Sequence, residues 1–365
     1  MELNVNFALN NLSFGDCSYN ILLELYKRGI YVNLFSIGNN FDISCFDKTP
    51  EDFKSYLQLC LSKAYKKYKR EYPCLKLWHI QNSEQSISND TYLFTFRELD
   101  QISELEVNIL NNQKKIFVCC EETKDIFENH GVIKSITYIP LGFDSLHFKK
   151  NDKKYFDDGR ITFFLGGKAE VRKAHERIIK LWIKKFGNNK KYFLELAITN
   201  PFFNPEQMNQ FYARCFDNQK PPFNINIHGY LPTRSHLNDL YNAIDIVIDG
   251  SYYETWSLPS FTCVALGKHA IIHHVGGVKG WANEQNSCLF YPSQKEVAVD
   301  GFFFHNRSDF SFGNWYKWED DEFMRAMENT VKRYEDNPIN INGLELQKQF
   351  TWEKSVNLIL QNIEK

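Results

Sequence analysis

Short apolar runs alternate with helix-length segments along almost the whole chain, and this alternation constrains the fold more than any other feature. "NVNFAL" reads as a strand, and "SFGDCSYNILLELYKRG" as a loop and an amphipathic helix that Gly29 closes. "YVNLFSIG", "KLWHI", "TYLFTF" and "KIFVCCEE" continue the series, and "SITYIPLGFD" ends it. After the polar stretch "KKNDKKYFDDGR" the pattern restarts at "ITFFLGG" and runs through "FLELAI", "INIHGYL", "LNDLYNAIDIVIDG" and "HAIIHHVGG". Strands separated by helices pair in parallel, because a parallel connection needs a crossover. The expected fold is therefore α/β, with two Rossmann-like domains facing a central cleft. Their expected bounds are 1–148, joined by a returning C-terminal helix over 350–365, and 149–349.

At 365 residues the chain is long enough for two cores. Its formal net charge of −2 gives no global basic field that would announce nucleic acid, although a local patch remains open. The nine cysteines form no C-x-x-C, and "MELNVNFALNN" does not read as a signal peptide. Free buried thiols in a reducing, cytoplasmic setting are expected. No apolar run is long enough to span a membrane.

Glycines fall at the ends of expected strands in both halves: Gly15, Gly166, Gly167, Gly229, Gly276 and Gly277. Ligands of open parallel sheets lie beyond the carboxyl ends of the strands, where glycine lets the backbone approach a phosphate or sugar. In "LGGKAEVRKAHERIIKLW", Lys168, Arg172 and Lys173 crowd the start of a helix. Cations oppose the helix dipole there unless an anion sits among them, so the pattern points to a diphosphate. In "GSYYETWSLPSFTCVALGKHAIIHHVGG", Glu254 reads as an exposed acid ahead of a turn, with Pro259 opening a helix that Gly267 closes. A carboxylate there suits sugar hydroxyls. Tyr230, after Gly229, joins the candidate donor-binding set.

"ETWSLPSFTCVALGKHAII" resembles the signature of retaining GT-B glycosyltransferases of family 4. Glu254 takes the place of the signature's first acid, Ser257, Leu258 and Pro259 its elbow, and Gly267 its helix end. "HHVGGVKGWANEQNSCLFYP" is similar to the Gly-Gly loop and the tail that follow in the family. "FLGGKAEVRKAH" resembles its diphosphate loop, with Lys168 where arginine is usual and Lys173 at the family lysine. A Pro-x-Gly-x-Asp pattern at Pro140, Gly142 and Asp144 resembles the end of the family's first domain. Two positions depart from the family: Thr262 stands for the ribose-binding second acid, and Ser257 for the elbow glycine. The composition, rich in Asn, Lys and Phe, resembles that of glycosyltransferases carried by large tailed phages.

The resemblance implies transfer from a nucleotide sugar, a UDP-sugar first among donors, to an acceptor hydroxyl. No D-x-D occurs, so no metal is expected at the diphosphate. Lys168 and Lys173 would offset charge on the leaving group, and Glu254 would orient the sugar. His79, after "KLW", would meet the sugar or the acceptor, with Glu98 and Asp100 weaker candidates on the same rim. The acceptor is open between a hydroxymethylated or hydroxylated pyrimidine in phage DNA and a cell-surface glycan. The basic run Lys63–Tyr72 suits a nucleic-acid backbone or is a solvated helix face. Thr262 motivates one competing reading, a catalytically idle sugar-nucleotide-binding module.

Overall fold

The structure is a computed structural model that describes residues 2–306 and 309–363. The chain divides into two compact units. Unit 1 comprises Met1–His147, Asn306–Gly313 and Gln349–Lys365, and unit 2 comprises Phe148–His305 and Asn314–Lys348.

Unit 1 begins with strand β1 (Asn4–Leu9), helix α1 (Ser13–Lys27), β2 (Asn33–Phe41) and α2 (Phe53–Lys67). It continues with β3 (Cys74–Leu77), β4 (Thr91–Thr95), α3 (Glu104–Asn111), β5 (Lys115–Val118), α4 (Glu121–Asn129) and β6 (Ile136–Tyr138). The six strands form one parallel sheet in the order β2-β1-β3-β4-β5-β6. Its two central strands, β3 and β4, are buried over every residue, as expected of a parallel sheet covered on both faces. α1 ends where Gly29 adopts φ +65° and the Ile30 N–H reaches the Leu25 carbonyl at 3.0 Å.

Unit 2 holds β7 (Ile161–Lys168), α5 (His175–Phe186), β8 (Tyr192–Thr199), α6 (Pro205–Cys215), β9 (Ile225–Ile227), α7 (Arg234–Ala243) and β10 (Ile246–Asp249). It continues with α8 (Leu258–Ala265), β11 (His269–His273), β12 (Cys288–Phe290), the antiparallel pair β13 (Gln294–Val297) and β14 (Asn314–Lys317), and α9 (Asp320–Asp336). Two short helices follow, α10 (Ile341–Leu344) and α11 (Leu346–Gln349). The sheet order is β12-β11-β10-β7-β8-β9, again all parallel. Between the halves, residues 149–160 form no helix or strand.

The last helix, α12 (Trp352–Asn362), belongs to unit 1, where the Ser355 hydroxyl donates to the Pro140 carbonyl at 2.6 Å. Of the helix expected over 350–365, residues 364 and 365 lie outside the described ones. The linker reading did not anticipate that residues 306–313 belong to unit 1. There the Arg97 guanidinium donates to the Phe312 carbonyl at 2.7 Å, and the Ser103 hydroxyl donates to the carbonyl of Asp309. All nine cysteines are buried and unpaired. Among the described residues, no helix is long and apolar enough to cross a membrane.

Candidate active site

Strand order locates one candidate site in each unit. In unit 2 the order reverses between β7 and β10, and in unit 1 between β1 and β3. Open α/β sheets take ligands at such switch points, beyond the carboxyl ends of the strands.

At the unit 2 switch point β7 ends in Gly166, Gly167 and Lys168, and β10 ends in Asp249. A polar crevice lies between them, lined among others by Gly166, Lys173, His175, Asp249, Ser257 and Ser260. Gly167 has φ +122°, and the Lys173 stem lies 3.7 Å from where its Cβ would stand. Beyond β7 a chain of alternating charge is built. Lys168 pairs with Glu170, which accepts from Arg172 at 3.1 Å. Arg172 donates to Glu254 at 2.7 Å, and Lys173 donates to the same carboxylate oxygen at 2.5 Å. Arg172 also donates to the Tyr253 carbonyl at 2.5 Å.

Glu254 reads as exposed in the sequence but is only 6 % exposed. The loop after β10 carries it inward, and two cations make the burial of its charge tolerable. Burial alone would raise its pKa; the charges of Arg172 and Lys173 outweigh that and hold it down to about 2. For Lys173, burial opposes the charged form, and Glu254 more than offsets it, so the pKa is raised. Burial, followed by the charge of Lys173, pushes His175 down to about 3, so its imidazole is neutral. The side chain of Lys173 is 14 % exposed, and that of Lys168, at 32 %, reaches solvent more freely. Lys168 also lies over the Phe303 ring at 4.2 Å.

Two features fix the loop from Glu254 into α8. The Gly277 N–H donates to the Glu254 carbonyl at 2.7 Å, and a Cβ at Gly276 or Gly277 would overlap the carbonyls of Glu254 and Thr255. At the turn, Ser257 is left-handed with φ +59°, and its hydroxyl donates to Asp249. Leu258 is half-buried and opens α8 with Pro259 beside it, and Thr262 is buried within the helix. Gly267 follows α8 with φ +88°.

Unit 2 thus brings together Gly166, Gly167, Lys168, Arg172, Lys173, Glu254 and Ser257. Tyr230 lies beyond the carboxyl end of β9, an edge strand two places from β7, and is 59 % exposed. In unit 1, Gly15 sits in the first turn of α1, where a Cβ would overlap the Asn10 carbonyl. Its neighbour Phe14 packs 4.6 Å from His79, which follows β3 and is exposed. Trp78 and Phe96 complete this aromatic group, with ring centroids 5.5 and 4.8 Å from Phe14.

Sequence reasoning missed Glu170, His175 and Asp249. The signal for Glu170 was an acid inside a basic loop, since acids so placed are usually paired. Among the described residues, no group of three His, Cys, Asp or Glu stands where a metal ion could be held.

The two switch-point sheets, each with its helices, define the GT-B fold. No protein-family model matches the chain, and no curated protein matches it. Solved structures match it throughout. Sucrose-phosphate synthase from Thermosynechococcus elongatus aligns with TM-score 0.68 at 14% identity, over 99% of this chain and 98% of that one. HepE of Anabaena in complex with UDP-glucose aligns with TM-score 0.63 at 11% identity, over 100% of both chains. The catalytic domain of starch synthase IV from Arabidopsis thaliana, bound to ADP and acarbose, gives TM-score 0.64 at 10% identity over 99% and 98%.

Proposed function

We propose that the chain is a metal-independent, retaining glycosyltransferase of the family 4 type that moves a sugar from a UDP-sugar to an acceptor hydroxyl. The observation that carries this reading is the line of three cations, Lys168, Arg172 and Lys173, at the unit 2 switch point. The neighbours HepE, with UDP-glucose, and starch synthase IV, with ADP, support a nucleotide donor. In the proposed reaction the bond from the anomeric carbon to the diphosphate breaks, and UDP leaves with the electron pair. The acceptor oxygen bonds the same carbon from the same face, and its proton passes to a diphosphate oxygen. Lys173 and Lys168 stabilise the departing charge. Glu254 holds Arg172 and Lys173 in place and presents its remaining lone pairs to the sugar. Unit 1 takes the acceptor, with His79 beside its hydroxyl.

The acceptor we favour is a hydroxymethylated or hydroxylated pyrimidine of phage DNA, met in the cytoplasm, where nine free thiols stay reduced. Support comes from the exposed Lys66, Lys67, Lys69 and Arg70 around the end of α2, with Tyr65 93 % exposed among them. A non-catalytic nucleotide-sugar-binding module is the second reading, favoured by Thr262 in the ribose position. Nucleotide sugars are to be screened by thermal shift, followed by mass spectrometry of modified DNA and glycans incubated with donor, with and without EDTA. Mass gain on DNA that survives EDTA is expected. Gain on glycans alone overturns the acceptor, and binding without transfer or donor hydrolysis favours the second reading.

A further inference from the structure

The loop that carries Glu254 turns at Ser257, with φ +59° and ψ +69°. Glycine adopts this region freely, whereas a residue with a Cβ needs compensation. Ser257 receives it from one side chain eight residues earlier. Its hydroxyl donates to Asp249 Oδ2, which also accepts from the Ser260 hydroxyl at 2.9 Å. Asp249 Oδ1 accepts from the Ser251 hydroxyl at 2.7 Å and from the Ser251 N–H at 3.2 Å. Asp249 is 7 % exposed, and its four donors all come from the segment it precedes. A carboxylate accepts about four hydrogen bonds, so this one is fully engaged in gathering the loop.

We propose that Asp249 is the positioning residue of this elbow. By bonding the Ser257 hydroxyl it secures a left-handed turn that glycine would adopt unaided, and it thereby fixes the path from Glu254 into α8. The Gly276–Gly277 loop holds the segment at Glu254 and Thr255, and Asp249 holds it at Ser251, Ser257 and Ser260. The consequence for ligand binding rests on the donor reading above: a loosened elbow displaces Glu254 relative to Lys173 and weakens the nucleotide.

The test is a mutant cycle of D249N, S257A, S257G and D249N/S257G in the full chain. It reads amide hydrogen exchange across residues 250–261 and UDP affinity by calorimetry. D249N and S257A should each speed elbow exchange and weaken UDP by about tenfold. S257G loses the same hydroxyl but needs no pin, so it should weaken UDP less than S257A does. In the S257G background the added effect of D249N should shrink to about twofold. Equal effects of D249N in both backgrounds, or of S257A and S257G, overturn the proposal. Should D249N fail to fold, the S257A/S257G pair, which leaves Asp249 in place, decides the question. If the parent protein binds no nucleotide, the donor reading fails, while the exchange cycle still decides whether Asp249 holds the elbow.

Discussion

The two switch points share a location in their sheets but not a chemistry. At the unit 2 switch point, Lys168, Arg172 and Lys173 are threaded between the carboxylates of Glu170 and Glu254. At the unit 1 switch point an exposed imidazole, His79, packs on Phe14 and Trp78, and Phe96 packs on Phe14. Topology fixes where a ligand can approach; side chains decide which one. A departing diphosphate needs preplaced cations, which only the first of these two groups offers. A ring-lined surface with one imidazole suits a neutral hydroxyl-bearing group such as a base or a sugar ring, because rings offer stacking and His a single hydrogen bond. Variants that separate charge handling from ring contact therefore test the division of labour.

The largest effect is expected from Lys173→Ala. It removes a cation that a buried carboxylate depends on, so it should cost about 3 kcal/mol of stability. It should also lower kcat/KM by about 100-fold or more, the scale for losing one preplaced donor to a developing charge. Thermal unfolding and steady-state kinetics read the two effects. Lys168→Ala should cost less, about tenfold in kcat/KM, because its side chain is 32 % exposed and its pair with Glu170 is screened. Equal losses from the two variants would contradict the ranking by burial.

Glu254→Gln sharpens the same side of the comparison through pH. The carboxyl is held at about 2 against an ordinary 4.5. Its pKa is lowered by folding, so its contribution is fully present above pH 4.5 and is lost as pH falls toward 2. The size is about 3 kcal/mol. The parent should therefore lose stability between pH 4.5 and 2 more steeply than Glu254→Gln, whose curve should be flatter and lower at neutral pH. Denaturant titrations at several pH values measure it, and parallel curves would show that Glu254 is not the group the cations hold down.

How much of this was legible in the sequence depended on whether the signal was local. Strand–helix alternation is local, so the parallel sheets and the basic loop after β7 were readable, as were the glycines that close α1 and α8. Pairing across the sheet is not local. Arg172 and Glu254 are 82 residues apart, and nothing near Glu254 reveals that two cations bury it. Asp249 was equally hidden, because an acid ending an apolar strand reads as a strand terminus. The return of residues 306–313 to unit 1 rests on contacts such as Arg97 with the Phe312 carbonyl, which no periodicity encodes.

A smaller effect is expected at the aromatic switch point. His79→Ala removes one exposed imidazole packed on Phe14 and Trp78, with ring centroids 4.6 and 5.2 Å away. If His79 meets the acceptor, kcat/KM for the acceptor should fall by about tenfold, the worth of one hydrogen bond. UDP affinity should change by less than about twofold. A loss of UDP affinity as large as that in Lys173→Ala would erase the distinction between the two groups.

The smallest effect is expected from Thr262→Ala. Thr262 stands where the family resemblance places a ribose-holding acid, yet it is 6 % exposed and lies within α8, its carbonyl accepting the Leu266 N–H at 2.9 Å. A hydroxyl offers a ligand only neutral hydrogen bonds, each worth little net, so Thr262→Ala should change UDP affinity by only about 0.5–1.5 kcal/mol. The helix should survive, since alanine is the better helix former. Thr262→Glu probes the same position from the other side. With so little exposure, an added carboxylate would be buried without the cations that make Glu254 tolerable, and stability should fall by several kcal/mol, on the order of an unpaired buried charge. Calorimetry with UDP and thermal unfolding of both variants measure the pair. Tighter UDP binding by Thr262→Glu with an unchanged melting temperature would mean that the position opens onto the ribose, and that the missing acid, rather than Asp249 and its serines, limits how this chain holds a nucleotide.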